Sequence, residues 1–257
     1  MPADRQPRTG TQSIERAIAL LGVFEEGPPT VSLTELAGQT RLSPSTTHRL
    51  ARALCDAGFL QQDDFTERYG LGPRLVTLGA RAADNLGLAA ARVTLGELAT
   101  DTGESVNLGV RDGDEVVVLL YIPSAKALRF DQTAGTRVPV YASAMGKALL
   151  AFDADPDAVI QSLPRLARLT GHTITSRSAL RADLDDVRER GWALNDEERE
   201  IGVRTIAAPV LNDRGNATAA IAVQGPSIRL PDSVLPRLSR RVQIAAADVA
   251  YHLTGPL

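Results

Sequence analysis

A basic segment without acidic residues is the clearest place for chemistry in this chain. Between Gly38 and Cys55 there are three arginines and no Asp or Glu. A helix beginning at Ser43-Pro44 would bring the arginines and a histidine to one face, because residues three and four apart share a helix face. Arginine reads guanine in the DNA major groove, and first-turn hydroxyls and amides bind phosphate. The predicted DNA-binding residues are Ser43, Ser45, Thr46, His48, Arg49 and Arg52.

The flanking sequence supplies the elements that must position this helix. Apolar residues at helical spacing predict a first helix over Ser13 to Phe24, ended by Gly27-Pro28-Pro29. Ser32 and Glu35 fit a capping box at the start of a short second helix. A polar turn between Phe59 and Leu71 indicates a small hairpin after the third helix. Three short helices followed by a β-hairpin are typical of a winged helix-turn-helix.

A solvated face of an ordinary helical bundle is the alternative interpretation of the basic helix. The formal net charge is 28 minus 31, or −3, so affinity for DNA requires a local basic surface. The capping box, the Ser-Pro start, the absence of acids and the hairpin occur together here. Their combination favours a DNA-binding helix over a merely solvated one.

The composition limits the class of protein. A chain of 257 residues with 44% hydrophobic and 23% charged residues is long enough for two globular domains. One cysteine, Cys55, and three histidines cannot form a disulfide or a Cys/His zinc cage, so we expect no metal and no cofactor. The polar N-terminal arm and the absence of a long apolar run predict a cytoplasmic protein without a membrane span.

The remainder of the chain predicts a connecting helix and an α+β domain. Leu75, Leu78, Ala82, Leu86, Ala89 and Val93 follow one another at mostly helical steps, with a kink expected near Gly87. Turns at Asp112-Gly113 and around Gly215 predict two β-hairpins, from Val106 to Ile122 and from Ile206 to Val223. Helices are expected at 144–152, 155–162, 178–190 and 233–252. We expect an antiparallel sheet flanked by helices, and domains at 1–74, 75–100 and 101–257.

Enzyme motifs are missing from the sequence. The pair Gly146-Lys147 is not a phosphate-binding loop, because Tyr141 stands where the first glycine is needed. The acidic run from Asn195 to Glu200 could hold a metal, but a solvated turn before a strand is the favoured interpretation. Thr205 and Gln224, at strand ends, could line a ligand pocket or could simply be exposed. A metabolic enzyme with a helical dimerisation module remains the alternative function.

The sequence resembles the isocitrate-lyase-regulator (IclR) family of bacterial transcription factors over nearly its whole length. The residues that carry the resemblance are 13–17, the helix segment 42–50, the hairpin exit 69–72, and the segments 139–148 and 200–210. The family pairs a winged helix with a GAF-like effector domain through a helix that takes part in dimerisation. The resemblance therefore implies an effector-responsive regulator, expected to be a repressor, that binds a pseudo-palindromic operator as a homodimer or homotetramer.

The resemblance also implies a set of effector-binding residues. Carried over by motif position, they are Val138, Ala144, Met145, Asn195, Thr205, Ala222 and Gln224. Family members that bind small carboxylates have hydroxyls and an acid at some of these positions, where this chain has Asn195, Ala222 and Gln224. Relatives often have cysteine at the position of Thr205. The resemblance therefore leaves the ligand open.

Overall fold

The chain forms two compact units, one up to Ala82 and one from Ala83 onward. A computed structural model describes residues 11–25 and 27–253. Within its described residues, the first unit contains three helices and a two-stranded antiparallel hairpin, followed by most of a fourth helix, which confirms the predicted winged helix-turn-helix. Its elements are α1 (Gln12–Gly22), α2 (Leu33–Thr40), α3 (Pro44–Asp56), β1 (Leu60–Gln62) and β2 (Tyr69–Leu71), followed by α4 (Arg74–Asn85), which contains the boundary.

Local hydrogen bonds explain where α2 and α3 begin. The backbone N–H of Glu35 donates to Ser32 Oγ at 3.2 Å, and the N–H of Ser32 donates to Glu35 Oε2 at 2.6 Å, which completes the predicted capping box. Ser43 Oγ accepts from the N–H of Thr46 at 3.3 Å, and Pro44 takes the first helical position. Between the two helices Arg41 adopts a left-handed conformation with φ 54°. The turn between α2 and α3 is therefore three residues long, and it sets the direction of α3.

The buried faces of α1 and of the connecting region differ from those that the apolar spacing indicates. In α1 the fully buried residue is Leu20, while Ile14 and Ile18 are 61% and 62% exposed. The connecting region is two helices, because Gly87 has φ 73° and begins a new helix, α5 (Leu88–Thr102). The break changes the phase of the pattern: α5 buries Leu88, Ala91, Leu95, Leu98 and Ala99, and leaves Val93 exposed.

The second unit is built on a six-stranded antiparallel sheet with the order β5-β4-β3-β8-β7-β6. Both predicted hairpins are present, with Gly113 and Gly215 at positive φ in their turns. The short edge strands β5 and β6 were not predicted. The strands are β3 (Ser105–Asp112), β4 (Glu115–Ile122), β5 (Arg137–Pro139), β6 (Ala193–Asp196), β7 (Val203–Leu211) and β8 (Ala217–Pro226).

Helices cover both faces of this sheet. Successive side chains of a strand point to opposite faces of the sheet. Ile206 therefore belongs to the hydrophobic cluster formed with α5 and α9, and Ala207 to the cluster formed with α6 and α8. The helices agree closely with the predicted ranges and are α6 (Ala144–Ala151), α7 (Pro156–Ser162), α8 (Arg177–Arg190) and α9 (Leu235–His252). The predicted class, α+β with an antiparallel sheet flanked by helices, is confirmed.

Helix α6 lies very close to the preceding segment, and its glycine explains why. A Cβ on Gly146 would stand 2.1 Å from the carbonyl oxygen of Val140, so no other residue fits. The Gly146-Lys147 pair does not belong to a phosphate-binding loop. Its glycine instead permits close packing of α6 against the preceding segment. It brings the N-terminal end of α6 onto the sheet.

Candidate functional site

Helix α3 has one buried face and one exposed polar face. Thr47 and Ala51 are fully buried, whereas Ser45, His48, Arg49 and Arg52 are exposed. Neither Arg49 nor Arg52 has an ion-pair or hydrogen-bond partner within the described residues. Their guanidinium groups are thus free to contact another molecule.

The hydroxyl residues at the start of α3 already have partners inside the protein. Ser43 Oγ caps the helix and lies 2.9 Å from Thr46 Oγ1 and 3.2 Å from Ser45 Oγ. The exposed first turn still presents its backbone N–H groups and the helix dipole, which favour a phosphate. Ser43 therefore acts first as the cap that fixes the helix start.

The charged groups of the β1–β2 hairpin are less suited to contact with DNA than those of α3. Arg68 Nη2 donates to Glu35 Oε2 and to the carbonyl of Thr30, both at 2.9 Å, so this cation is engaged. The turn of the hairpin carries the acids Asp63, Asp64 and Glu67. The free cationic groups of α3 therefore complement a duplex better than the hairpin does.

In the second unit, strand register places polar residues in one row across the sheet. Asn195 lies opposite Thr205 on β7, and Thr205 lies opposite Gln224 on β8. Gln224 in turn lies opposite Ser105 on β3. The adjacent row on the same face of the sheet consists mainly of alanines. Its members are Ala193, Ala207, Ala222 and, on β3, Asn107. The polar row forms the floor of a cavity beside α6.

The cavity measures about 20 Å³, which is enough for about one water molecule. Six predicted effector-binding residues line it: Val138, Ala144, Met145, Asn195, Thr205 and Gln224. The structure does not place Ala222 in the lining, because that residue belongs to the alanine row and is fully buried in the core. The remaining lining residues were missed from the sequence: Gln132, Ser143, Arg199, Glu200 and Val203.

The interpretation of the acidic run from Asn195 to Glu200 as a solvated turn is wrong. Asn195 and Asp196 belong to β6, and Asn195 and Glu198 are buried. Asn195 Oδ1 accepts from the N–H of Glu198 at 3.2 Å, and Asn195 Nδ2 donates to the carbonyl of Ala142. This amide therefore holds the turn that carries Arg199 against the start of α6.

Beneath this turn lies a buried ion pair that the sequence did not reveal. Lys147 is only 1% exposed, and its Nζ lies 2.5 Å from Glu198 Oε1 and 2.9 Å from Asp183 Oδ2. Burial raises the pKa of Glu198 above its usual range, against the opposing effect of Lys147. Lys147 thereby connects α6, α8 and the turn after β6.

A winged helix with a free cationic face, followed in the chain by a sheet domain that encloses a polar cavity, defines a class of ligand-responsive DNA-binding regulators. The "IclR helix-turn-helix domain" matches residues 13–64, and the domain "Bacterial transcriptional regulator IclR C-terminal" matches residues 81–251. The chain belongs to the IclR family of transcriptional regulators, with an N-terminal DNA-binding and a C-terminal effector-binding domain.

Named relatives agree with this assignment. The HTH-type transcriptional regulator BhcR of Paracoccus denitrificans is 36% identical over 94% of this chain and 87% of its own length. The regulator KdgR of Escherichia coli is 34% identical over 97% of this chain and 96% of its own. The solved structure of an IclR transcriptional regulator from Alicyclobacillus acidocaldarius has a TM-score of 0.85 at 28% identity, covering 93% of this chain and 98% of that one. These relatives do not support the alternative of a metabolic enzyme.

No helix in the described part of the chain is both long and apolar enough to span a bilayer.

Proposed function

We propose that this protein is a repressor that binds a pseudo-palindromic operator as a homodimer or homotetramer and releases it in response to a small metabolite. The proposed domains are DNA binding at 1–74, connection and dimerisation at 75–100, and effector binding at 101–257. It acts in the cytoplasm and catalyses no reaction. The free cationic face of α3, with Arg49 and Arg52 unpaired in the described residues, is the observation that carries this proposal.

A single α3 offers few side chains that can reach base edges, so one copy reads only a short sequence. Doubling the reading helix through a symmetric dimer gives the specificity that an operator requires, and the symmetry of the protein then sets the symmetry of the site. The proposed contacts come from Ser45, Thr46, His48, Arg49 and Arg52, with Ser43 as cap.

The cavity beside α6 is the proposed effector site, and its walls must move apart beyond the present volume of about 20 Å³ to admit a metabolite. Its lining combines amide, hydroxyl and guanidinium groups with apolar walls from Val138, Met145 and Val203. A metabolite that binds one arrangement of the dimer better than the other would shift operator affinity by its differential affinity. Ala222 supports this site from below and does not line it.

Protection of genomic DNA tests the proposal directly. We expect the purified protein to protect a promoter-proximal site with two-fold symmetry, and metabolites of the neighbouring genes to include one that removes the protection. Protection without symmetry, or protection that no metabolite changes, would contradict the dimeric or the effector part of the proposal respectively.

Thr205→Tyr is expected to abolish the effector response while leaving effector-free operator binding intact. Thr205 is half-buried on the cavity floor, and the added ring exceeds the available 20 Å³. Operator binding is measured with and without the releasing metabolite. Gln161→Tyr, on the exposed side of α7 and outside both the cavity lining and the proposed dimerisation segment, is the control and should respond like the wild type. An unchanged response in Thr205→Tyr would remove the cavity from the proposal.

A further inference from the structure

A second pocket lies on the opposite face of the sheet from the cavity beside α6. It is formed by the C-terminal end of α5, the N-terminal half of α9 and the segments next to them, and it borders the hydrophobic cluster of these two helices. Its volume is about 290 Å³, close to the lower end of the roughly 300–1,000 Å³ that is typical of small-molecule sites. This pocket therefore has room for a small organic molecule without movement of its walls.

Positive charge dominates the lining of this second pocket. Four cationic side chains line it: Lys126, Arg229, Arg237 and Arg241. Two carboxylates, from Asp101 and Glu104, also line it, which leaves an excess of two positive charges. Cations that outnumber the neighbouring acids repel one another, and their summed potential attracts an anion.

The buried carboxylate of Glu104 is already fully engaged. Its oxygens accept from Arg229 Nε and Nη2, each at 2.6 Å, and its Oε1 also accepts from Lys126 Nζ at 2.9 Å. Burial raises the pKa of Glu104, but the hydrogen bonds and charges of these two cations outweigh burial and lower that pKa. Glu104 thus holds two cations beside the pocket and neutralises the charge of only one.

The two arginines of α9 have donors without an acceptor in the described part of the chain. Arg237 is exposed and has no ion-pair or hydrogen-bond partner there. Arg241 donates from Nη1 to Asp101 Oδ2 at 3.1 Å, and its Nε and Nη2 have no partner there. Because the two arginines are four residues apart, they lie on the same side of the helix, where like charges are destabilising. An anion bound between them would replace this repulsion by attraction.

The chemistry of the lining fits a phosphate monoester. A phosphate group carries about −1.5 to −2 charge at pH 7 and has three acceptor oxygens, which suits two excess positive charges with several unused donors. Guanidinium forks bind phosphate oxygens in pairs. The pocket also has apolar walls from Leu230, Val234 and Leu238, against which the organic part of an ester can pack. Inorganic phosphate would leave these walls without a contact.

We propose that this second pocket binds a small phosphate monoester, with Arg237 and Arg241 as the principal donors to its phosphate group. The cations that Glu104 holds add positive potential, and the apolar walls contact the organic part of the ester. The protein then has two ligand sites, one on each face of the sheet.

Four probes of related shape test the chemistry. Phenyl phosphate, phenyl sulfate, phenol and inorganic phosphate are titrated into the full-length protein by calorimetry at one ionic strength, because salt screens exposed charges. We expect phenyl phosphate to bind, phenol not to bind, and phenyl sulfate and inorganic phosphate to bind more weakly. Equal affinity for phenyl sulfate would refute the need for a dianion, and equal affinity for inorganic phosphate would refute an ester. If phenyl phosphate does not bind, the proposal fails.

Substitution of Arg237 tests the location of the site. Arg237→Met is expected to weaken phenyl phosphate binding on the order of 10-fold, the usual effect of losing hydrogen bonds to a charged group. Arg240→Met is the matched control, because it removes the same charge from an exposed position on the same helix, outside the pocket lining. This control should bind like the wild type. Wild-type affinity in Arg237→Met, or equal losses in both variants, would exclude the site.

Thr205→Tyr distinguishes this pocket from the cavity beside α6. Thr205 lies on the floor of that cavity and does not line the second pocket, so Thr205→Tyr should bind phenyl phosphate with wild-type affinity. Phenyl phosphate should also raise the thermal midpoint of this variant, as a ligand of the folded state does. Loss of binding in Thr205→Tyr together with full binding in Arg237→Met would place the anion in the cavity beside α6 and refute the second site. Neither result depends on whether that cavity controls operator binding.

Discussion

Lys147→Met is expected to lower the free energy of unfolding of the second unit by about 3–5 kcal/mol, the usual cost of removing one partner of a buried ion pair. Methionine fills a similar volume, so the loss comes from electrostatics and not from a cavity. Glu198 Oε1 and Asp183 Oδ2 lose the ammonium that lies 2.5 and 2.9 Å away. Glu198 Oε2 already has no hydrogen-bond partner in the described structure, so Lys147 is the main compensation for this carboxylate.

The chain contains one other lysine, which provides a matched control. Lys126 pairs with Glu104 at 2.9 Å, but its side chain is 45% exposed, and Arg229 also binds Glu104 through two hydrogen bonds of 2.6 Å. Lys126→Met should therefore cost about 0–1 kcal/mol, as surface ion pairs do. Urea unfolding followed by circular dichroism measures both variants. Equal losses for the two lysines would contradict the buried pair as the source of stability.

A second variant separates the charge effect from general damage to α6. Burial already raises the pKa of Glu198, so Glu198→Gln removes a charge that the interior tolerates only beside Lys147. Adding Glu198→Gln to Lys147→Met should restore part of the lost stability, because the double variant leaves fewer uncompensated charges. A double variant that loses the sum of the two single losses would exclude coupling between these residues.

The same ion pair explains how Arg199 reaches the cavity. Lys147 holds Glu198 below the turn, and Asn195 accepts from the backbone of Glu198 while donating to Ala142. The residue after Glu198 is thereby fixed beside the polar floor of the sheet. The stability of the second unit and the geometry of its cavity depend on the same few contacts.

Features that depend on neighbours in sequence were predictable. The caps at Ser32 and Ser43 join residues three apart, and the turns at Gly113 and Gly215 need only a residue that accepts positive φ. Such interactions are complete within a few residues, so the pattern alone carries them.

Features that depend on distant partners were not predictable in the same way. The apolar spacing in α1 does not show that Ile14 and Ile18 are exposed, because burial depends on which elements pack against the helix. Lys147 and Glu198 are 51 residues apart, and an acid-rich run is usually solvated unless a buried cation faces it. Because the acidic run was interpreted as solvated, Arg199 within it was not predicted to line the cavity. Asn195 and Thr205, which flank it, were predicted from their motif positions.

The second large effect is expected at the proposed DNA contact of Arg49. Arg49→Ala should reduce the preference for the operator over unrelated DNA by about 1–3 kcal/mol, or roughly 5- to 150-fold, as the loss of a bidentate guanine contact does. Non-specific affinity should fall only slightly, because it depends on the total number of phosphate contacts. Folding should be unaffected, since Arg49 is exposed and has no partner in the described residues.

Competition binding at one fixed salt concentration distinguishes reading of bases from simple attraction. Arg240→Ala is the matched control, because Arg240 is exposed on α9 of the second unit and its loss changes the net charge by the same amount. This control should keep the wild-type preference for the operator. If Arg49→Ala also keeps it and loses only overall affinity, Arg49 contacts phosphate and does not read a base. If neither affinity nor preference changes, the exposed face of α3 is not the surface that meets the duplex.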